Sequence, residues 1–292
     1  MHRRSVSILG CGWLGLPLSR RLLSEGYLLK GTTTSPEKIS LLRSYGISAY
    51  LIDIGPPVRG DDIASFFQSE IFFLNIPFRR TFKDPFVYKC QIEAVISFLE
   101  RSPVKKIIFA SSTSVYPSDA GFVTEEFAIA GENPRAQVLL QIEQRILLHP
   151  QFDSTILRFA GLVGEGREIG RLYARRPDGS FHPEEPVNLV HLHDCLEIIV
   201  QLIVKNVSGV VLNVCCDHHP AKGQLYARLD TRRARLAEVW HPKTARLYAD
   251  AKPLKTDFDK QKMKRNKIVS NEKLKRLLDY QFIYPDPLMF PL

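Results

Sequence analysis

Through the first half of the chain, short apolar runs alternate with stretches of amphipathic spacing. The runs at 5–9, 28–32, 49–54, 71–75, 106–110 and 155–159 are rich in Val, Ile, Leu and Phe and have the length of strands. Between them, Val87, Val95, Ile96 and Leu99, and then Leu139, Ile142 and Ile146, recur close to the spacing of one helix face. Most of the predicted strands are apolar on both faces, as expected where helices cover both sides of a sheet. The alternation predicts an α/β fold, a doubly wound parallel sheet whose ligand edge lies at the carboxyl ends of its strands. Beyond Gly161 the alternation loosens. Residues 164–186 are rich in Gly, Pro and charge, 187–192 and 210–214 read as further strands, and 228–265 reads as basic helices. This divides the chain into a main domain, 1–164 with 187–215 returning to the sheet, and a small C-terminal substrate lobe built from 165–186 and 216–292.

The first predicted strand runs into Gly10, Cys11, Gly12, Trp13, Leu14 and Gly15, and an apolar helical run follows at Leu16, Leu18, Leu22 and Leu23. A G-x-G-x-x-G between a first strand and a helix is the dinucleotide fingerprint of a Rossmann fold. Gly10 permits a tight turn, Gly12 lets backbone N–H groups approach a diphosphate, and Gly15 lets helix and strand pack closely. The anion then meets the free N–H groups and positive dipole end of a helix. At the end of the second strand, an Asp or Glu would bond the ribose 2′-hydroxyl of NAD. Here stand Thr32, Thr33, Thr34 and Ser35, so NADP is favoured, with NAD the alternative and Lys38 a further phosphate partner. The threonines could equally cap the helix that starts at Pro36.

Charge adds one feature. The net +9 is carried by residues 221–292, with 17 Lys+Arg against 8 Asp+Glu, while 1–220 is balanced at 23 each. Such a lobe is a solvated surface or a basic wall for an acidic or phosphorylated small-molecule substrate. No helix-turn-helix, zinc finger or aromatic-basic motif points to nucleic acid. The apolar stretch after Arg4 is broken by glycines too soon for a signal peptide, and no run is long enough to span a membrane, so a cytoplasmic protein is expected. Five cysteines at irregular spacing argue against a disulfide framework. Cys215, Cys216, Asp217, His218 and His219 offer zinc-type ligands at poor spacing, since neighbouring strand residues point to opposite faces. His191 and His193 face one side of a predicted strand, and no metal is expected at either place. Cys11 reads as a small residue filling the glycine turn rather than a nucleophile.

Later segments resemble the extended short-chain dehydrogenases/reductases, which include nucleotide-sugar epimerases and dehydratases. Asp53-Ile54 is similar to that family's adenine-contacting pair, and Asn75 to its ribose contact. The stretch from Ile107 through Ser111, Ser112, Thr113, Ser114 and Val115 to Tyr116 resembles its fifth-strand segment, and Leu157 to Gly164 its nicotinamide-side loop. The segment from Asn188 to Asp194 is similar to its return segment. Gly-Trp-Leu-Gly at 12–15, Ser-Ser-Thr-Ser-Val-Tyr at 111–116, Ala-Gly-Leu-Val-Gly at 160–164, Val-Asn-Leu-Val-His-Leu at 187–192 and Tyr-Pro-Asp-Pro-Leu at 284–288 resemble an atypical bacterial subgroup, the YeeZ-like proteins. The resemblance implies a Ser that holds the reacting oxygen, a Tyr that moves its proton and a Lys four residues on that lowers the Tyr pKa. Ser112 takes the serine place, but the Tyr and Lys places fall on Arg135 and Leu139. Arg135 cannot give up its proton. Either another group near the nicotinamide does so, Ser112 and Tyr116 being the nearest, or the protein binds dinucleotide without turnover. The first reading is an NADP-dependent oxidoreductase or epimerase-like enzyme with substrate between Ser112 and the C-terminal lobe; the second is a redox sensor or regulatory protein.

Overall fold

In the computed structural model, which describes residues 4–55, 57–78, 81, 84–127, 133–169, 183–229 and 266–291, the alternation becomes one eight-stranded sheet. In chain order the strands are β1 (Ser5–Leu9), β2 (Leu28–Thr33), β3 (Ser48–Asp53), β4 (Arg59–Gly60), β5 (Ile71–Leu74), β6 (Lys106–Ser112), β7 (Phe122–Val123), β8 (Asp153–Phe159), β9 (Gly161–Val163), β10 (Leu189–His191), β11 (Val210–Val214) and β12 (Ile268–Val269). The sheet has the order β11-β8-β6-β5-β1-β2-β3-β4. All its ladders are parallel except β3 with β4. The chain winds outward from β1 through β2 to β3, then returns to β5 on the other side of β1 and winds the opposite way. That reversal between β1 and β5 is a topological switch point, where loops part and a ligand crevice opens.

Burial explains why these segments are strands. Ile71, Phe72, Phe73 and Leu74 of β5 are all fully buried, so both faces of the central strand are covered. The covering helices are α1 (Gly15–Ser24), α2 (Ile39–Ser44), α3 (Ile63–Phe66), α4 (Phe86–Leu99), α5 (Pro134–Leu147), α6 (Leu192–Val204) and α7 (Glu272–Leu278). Helix α4 turns Tyr88, Ile92, Val95, Ile96 and Leu99 inward, a spacing that keeps one face apolar. Helix α5 starts on Pro134, with Asn133 accepting the Arg135 N–H at 3.0 Å, and buries Ala136, Leu139, Ile142, Glu143 and Ile146. The buried charge of Glu143 is met by Arg158 of β8, whose Nη2 lies 2.7 Å from Oε2.

Helix α6 buries Leu192, Asp194, Cys195, Ile198, Ile199, Val200, Leu202 and Ile203 over about two thirds of its circumference and leaves a narrow polar stripe at His193, Glu197 and Gln201. The strand expected over 187–192 is shortened to β10 because His191 caps α6, its Nδ1 accepting the His193 N–H at 3.3 Å. Strand β10 pairs with β9 outside the main sheet, and β11 alone from the 187–215 stretch joins the main sheet, along β8. In the C-terminal part, buried Asp194 accepts from the Tyr280 hydroxyl and from the Ile283 and Tyr284 N–H groups at 2.7–3.1 Å. Strand β12 pairs with β7, and Asn188 clasps it by donating to the Lys267 carbonyl and accepting from Val269 N. Most of the helical stretch expected at 228–265, with Arg232-Arg233 and the basic run 262–265, and most of 165–186 lie outside the described residues. Among the described residues, no helix is long and apolar enough to cross a membrane.

Candidate functional site

The loops at the carboxyl ends of β3, β2, β1, β5, β6 and β8 line one groove of about 850 Å³. At its centre is the glycine turn. Gly10 has φ +103°, a conformation that strains any residue with a Cβ, and a Cβ there would stand 2.6 Å from the Asn75 carbonyl oxygen. At Gly15 a Cβ would collide with the Gly10 carbonyl oxygen, so these two glycines fix how closely helix, turn and β5 loop approach. At Gly12 a Cβ would meet nothing within 4 Å, so that position faces open groove. Thr32 braces the turn from below, its hydroxyl accepting from Gly10 N at 2.8 Å and its carbonyl from Cys11 N at 2.9 Å. Asn75 closes the other side, donating Nδ2–H to the Gly10 carbonyl at 3.0 Å.

Of the residues read from the sequence, Gly10, Cys11, Gly12, Trp13, Leu14, Thr33, Thr34, Asp53, Ile54, Asn75, Ser111 and Ser112 all line this groove. Gly15 and Tyr116 do not. Gly15 serves it through the close packing just described. Tyr116 sits 3% exposed with its hydroxyl donating to Asn213 Oδ1 at 2.9 Å and accepting from Arg158 Nη1 at 2.7 Å. The turn at Thr113–Val115 carries Tyr116 into the core, where Arg158 joins it to Glu143 and Glu143 in turn accepts from the Ser111 hydroxyl. As a candidate proton carrier Tyr116 is thus directed away from the groove, and burial pushes its pKa up. Ser112 lines the groove, and its Oγ accepts from Ser114 N at 3.1 Å, which leaves its own O–H to donate elsewhere. The Tyr and Lys places of the resemblance, Arg135 and Leu139, both line the groove as well.

The thiol of Cys11 is buried against Gly31 and desolvation pushes its pKa up to about 11, so it is a filler of the tight turn and no thiolate nucleophile. Cys215 and Cys216 are fully buried, donating to the Leu189 and His218 carbonyls. The His191 and His193 rings lie 4.9 Å apart at a right angle, one ending a strand and the other in α6. Among the described residues, no group of three or more His, Cys, Asp or Glu could hold a metal ion.

The walls carry aromatic and cationic pairings that the sequence does not show. Phe78 stacks on Tyr88 at 4.3 Å between ring centroids, Arg135 lies over Phe78, and Arg167 lies over Trp13. A side pocket of about 280 Å³ shares Thr34, Ile52 and Asp53 with the groove and adds Arg59, Gly60 and Asp61. Arg59 comes there because β4 folds back antiparallel on β3, opposite Asp53.

No family profile matches the chain. Protein YeeZ of Escherichia coli K12 is 31% identical to it over 294 aligned positions, covering 99% of both chains. Among solved structures, the UDP-Glc/GlcNAc 4-epimerase of Campylobacter jejuni superposes with a TM-score of 0.72 at 15% identity, over 98% of this chain and 96% of the other. A short-chain dehydrogenase/reductase superfamily protein from Agrobacterium tumefaciens with bound NAD gives 0.64 at 14% identity, over 96% and 93%. These two share the fold. The full-length match carries the conclusion that the chain belongs to the YeeZ family.

Proposed function

We propose that the chain binds a nicotinamide dinucleotide along this groove, NADP in preference to NAD, and acts on a small acidic or phosphorylated molecule as an oxidoreductase or epimerase-like enzyme. The observation that carries the reading is the glycine cradle: packed against the chain at Gly10 and Gly15, open at Gly12. That is the shape a diphosphate needs to reach backbone N–H groups. Residues Gly12, Trp13 and Leu14 would hold the diphosphate, Asp53 and Ile54 the adenosine, and Ser111 and Ser112 would face the nicotinamide. NADP is supported by the loop after β2, where Thr34, Ser35 and Lys38 line the groove and Arg59 lies in the adjoining pocket. The Thr33 hydroxyl accepts from Ser35 N at 3.1 Å, which shapes that loop. The bound nicotinamide supplies hydride transfer.

Within the chain, Ser112 is the substrate-holding hydroxyl, aimed by the Ser114 N–H it accepts. The described polar residues at that end of the groove are Ser111, Ser112, Ser114, Tyr88, Gln91, Asn133 and Arg135. Tyr88 donates to the Ile76 carbonyl at 3.1 Å and burial raises its pKa, so none of these exchanges a proton readily near neutral pH. The proton that accompanies hydride is carried by water or by the substrate itself. The sequestered Tyr116 hydroxyl favours a second reading, a dinucleotide-binding redox sensor without turnover. Calorimetric titration with NAD, NADH, NADP and NADPH, followed by NADPH oxidation against aldehydes, ketones and nucleotide sugars, separates the two. The enzyme reading expects tightest binding by the NADP pair and measurable oxidation. Binding with silence across the panel favours the sensor, and no heat with any dinucleotide overturns both.

A further inference from the structure

The turn that ends β6 is short and weakly held by its own backbone. Ser112 caps the single helical turn Thr113–Val115, its Oγ accepting from Ser114 N at 3.1 Å. Tyr116 N reaches the Thr113 carbonyl at 3.3 Å, beyond the usual range of a strong N–H···O bond. Lys267, from the far end of the chain, braces both ends of this turn. Its Nζ donates to the Thr113 carbonyl at 3.0 Å and to the Tyr116 carbonyl at 3.2 Å. The first residue of the turn is thereby tied to the residue that leaves it. Both acceptors are backbone atoms, so these bonds fix the path of the chain.

The lysine is itself held by the segment that carries it. Asn266 N and Lys267 N donate to the Ser118 carbonyl at 3.1 and 3.2 Å, and Ile268 N to the Gly121 carbonyl at 2.8 Å. The Lys267 carbonyl accepts from Asn188 Nδ2 at 2.9 Å. Strand β12 and the residues before it thus grip the chain just beyond the turn and deliver the ammonium to it. Burial pushes the Lys267 pKa down, the sign of an ammonium drawn out of water, where a charge-assisted bond to a carbonyl oxygen is stronger.

What the turn sets is the aim of Ser112. Its Oγ takes the Ser114 N–H, so the direction left for its own O–H depends on where Ser114 stands in the turn. Ser112 and Ser114 line the groove, and Lys267 is not among the described residues that do. The lysine therefore reaches the groove through the turn.

We propose that Lys267 is a positioning residue for Ser112: by tying the two ends of the turn after β6, it holds the Ser112 hydroxyl toward the nicotinamide end of the groove. This rests on the dinucleotide reading above, in which Ser112 faces the nicotinamide.

The test uses full-length protein saturated with NADPH. It reads the fluorescence of the bound dihydronicotinamide, which responds to the groups beside the ring, together with the calorimetric Kd of NADPH. Wild type is compared with Ser112→Ala, Lys267→Met, Lys267→Arg and the double variant Ser112→Ala/Lys267→Met. Ser112→Ala is expected to shift the emission. Lys267→Met should shift it too, with an NADPH Kd within about twofold of wild type. Lys267→Arg, which keeps donors for both carbonyls, should restore the wild-type spectrum. The double variant should match Ser112→Ala, because a lysine that acts through Ser112 then has nothing further to change. A loss that is structural alone lowers the melting temperature and leaves the spectrum of bound NADPH as it was. Thermal melting checks that each variant is folded, and Lys267→Gln, which keeps one donor group, carries the comparison should Lys267→Met unfold. A Lys267→Met spectrum equal to that of wild type, beside a shifted Ser112→Ala, overturns the assignment. So does a double variant in which the two shifts add. An unshifted Ser112→Ala, or a wild type that gives no heat with NADPH, marks the dinucleotide reading itself as wrong at that end and removes this assignment with it.

Discussion

Replacing Gly12 with alanine separates folding from binding. A Cβ at Gly12 meets no atom of the chain within 4 Å, and the residue is absent from the set with positive φ, so alanine fits the backbone as it stands. A glycine-to-alanine change at such a site lowers the entropy of the unfolded chain and stabilises by roughly 0.4–1 kcal/mol. In a chain of this length that amounts to a rise in Tm of about 1–4 °C, or to no visible change if solvation offsets it. The same methyl group stands where a diphosphate would approach the backbone. Pushing an anion outward by the width of a methyl group removes charge-assisted hydrogen bonds of roughly 1.5–3 kcal/mol, which is about a ten- to hundredfold rise in Kd for NADP. Paired measurements of melting temperature and calorimetric Kd on wild type and Gly12→Ala read both effects. A variant with unchanged Kd refutes the diphosphate placement, and one whose Tm falls by several degrees refutes the claim that the position faces open groove.

Gly15→Ala should lose on both counts, since its Cβ collides with the Gly10 carbonyl oxygen and approaches Asn75 Nδ2; overpacking of this kind costs about 1–3 kcal/mol, read by urea denaturation alongside a weaker NADP titration. Tyr116→Phe removes the hydroxyl shared by Arg158 and Asn213. We expect a stability loss of about 1–3 kcal/mol by denaturation, with NADP affinity and any turnover retained, and loss of turnover at unchanged stability would return Tyr116 to the chemistry. His191 is held neutral by burial next to His193, its pKa pushed down from 6.5 to about 4. The unfolded chain therefore binds the extra proton first, so this contribution to stability is whole above the unfolded value of 6.5 and is lost as pH falls toward 4. Stability of wild type and His191→Asn, which preserves an acceptor for His193 N, measured at several pH values should show a shallower slope for the variant in that window; parallel curves would contradict it.

The parts of the fold that were legible are those where one physical demand acts alone. Strands β1, β5 and β6 are covered on both faces, so their buried positions are mostly apolar, with Ser7 admitted where its hydroxyl donates to the Phe66 carbonyl, and a run such as Ile71-Phe72-Phe73-Leu74 admits little else. The glycine turn is legible for a similar reason, because Gly10 and Gly15 are the residues that tolerate the approach of Asn75 and of one another. Helix α6 is harder to read because buried residues cover about two thirds of its circumference and its polar stripe is narrow, made of His193, Glu197 and Gln201. Arg59 reaches the Thr34 side through a two-residue antiparallel strand that depends on Gly60 at φ +155° packing against Leu51 and Ile52. A turn of that kind leaves no periodic trace.

The chemistry was less legible because it depends on which way a side chain leaves its turn. Ser112 and Tyr116 are four residues apart, yet one lines the groove and the other is enclosed, and the difference lies in partners far away in sequence. Arg158 and Asn213 come from β8 and β11, and they offer Tyr116 a charged donor and an amide oxygen inside the core. Leaving them for the groove would strand a buried guanidinium hydrogen bond and an amide acceptor, a cost of about 1–3 kcal/mol for each group before any reaction began. The same network reaches the groove floor through Glu143 and Ser111. The polar groups beneath that end of the groove thus go into holding its floor, while Ser112 and Arg135 stand on its walls. Under the proposed function, reactivity there comes from the ligands that the groove brings together, because the Tyr116 hydroxyl is already engaged with Arg158 and Asn213.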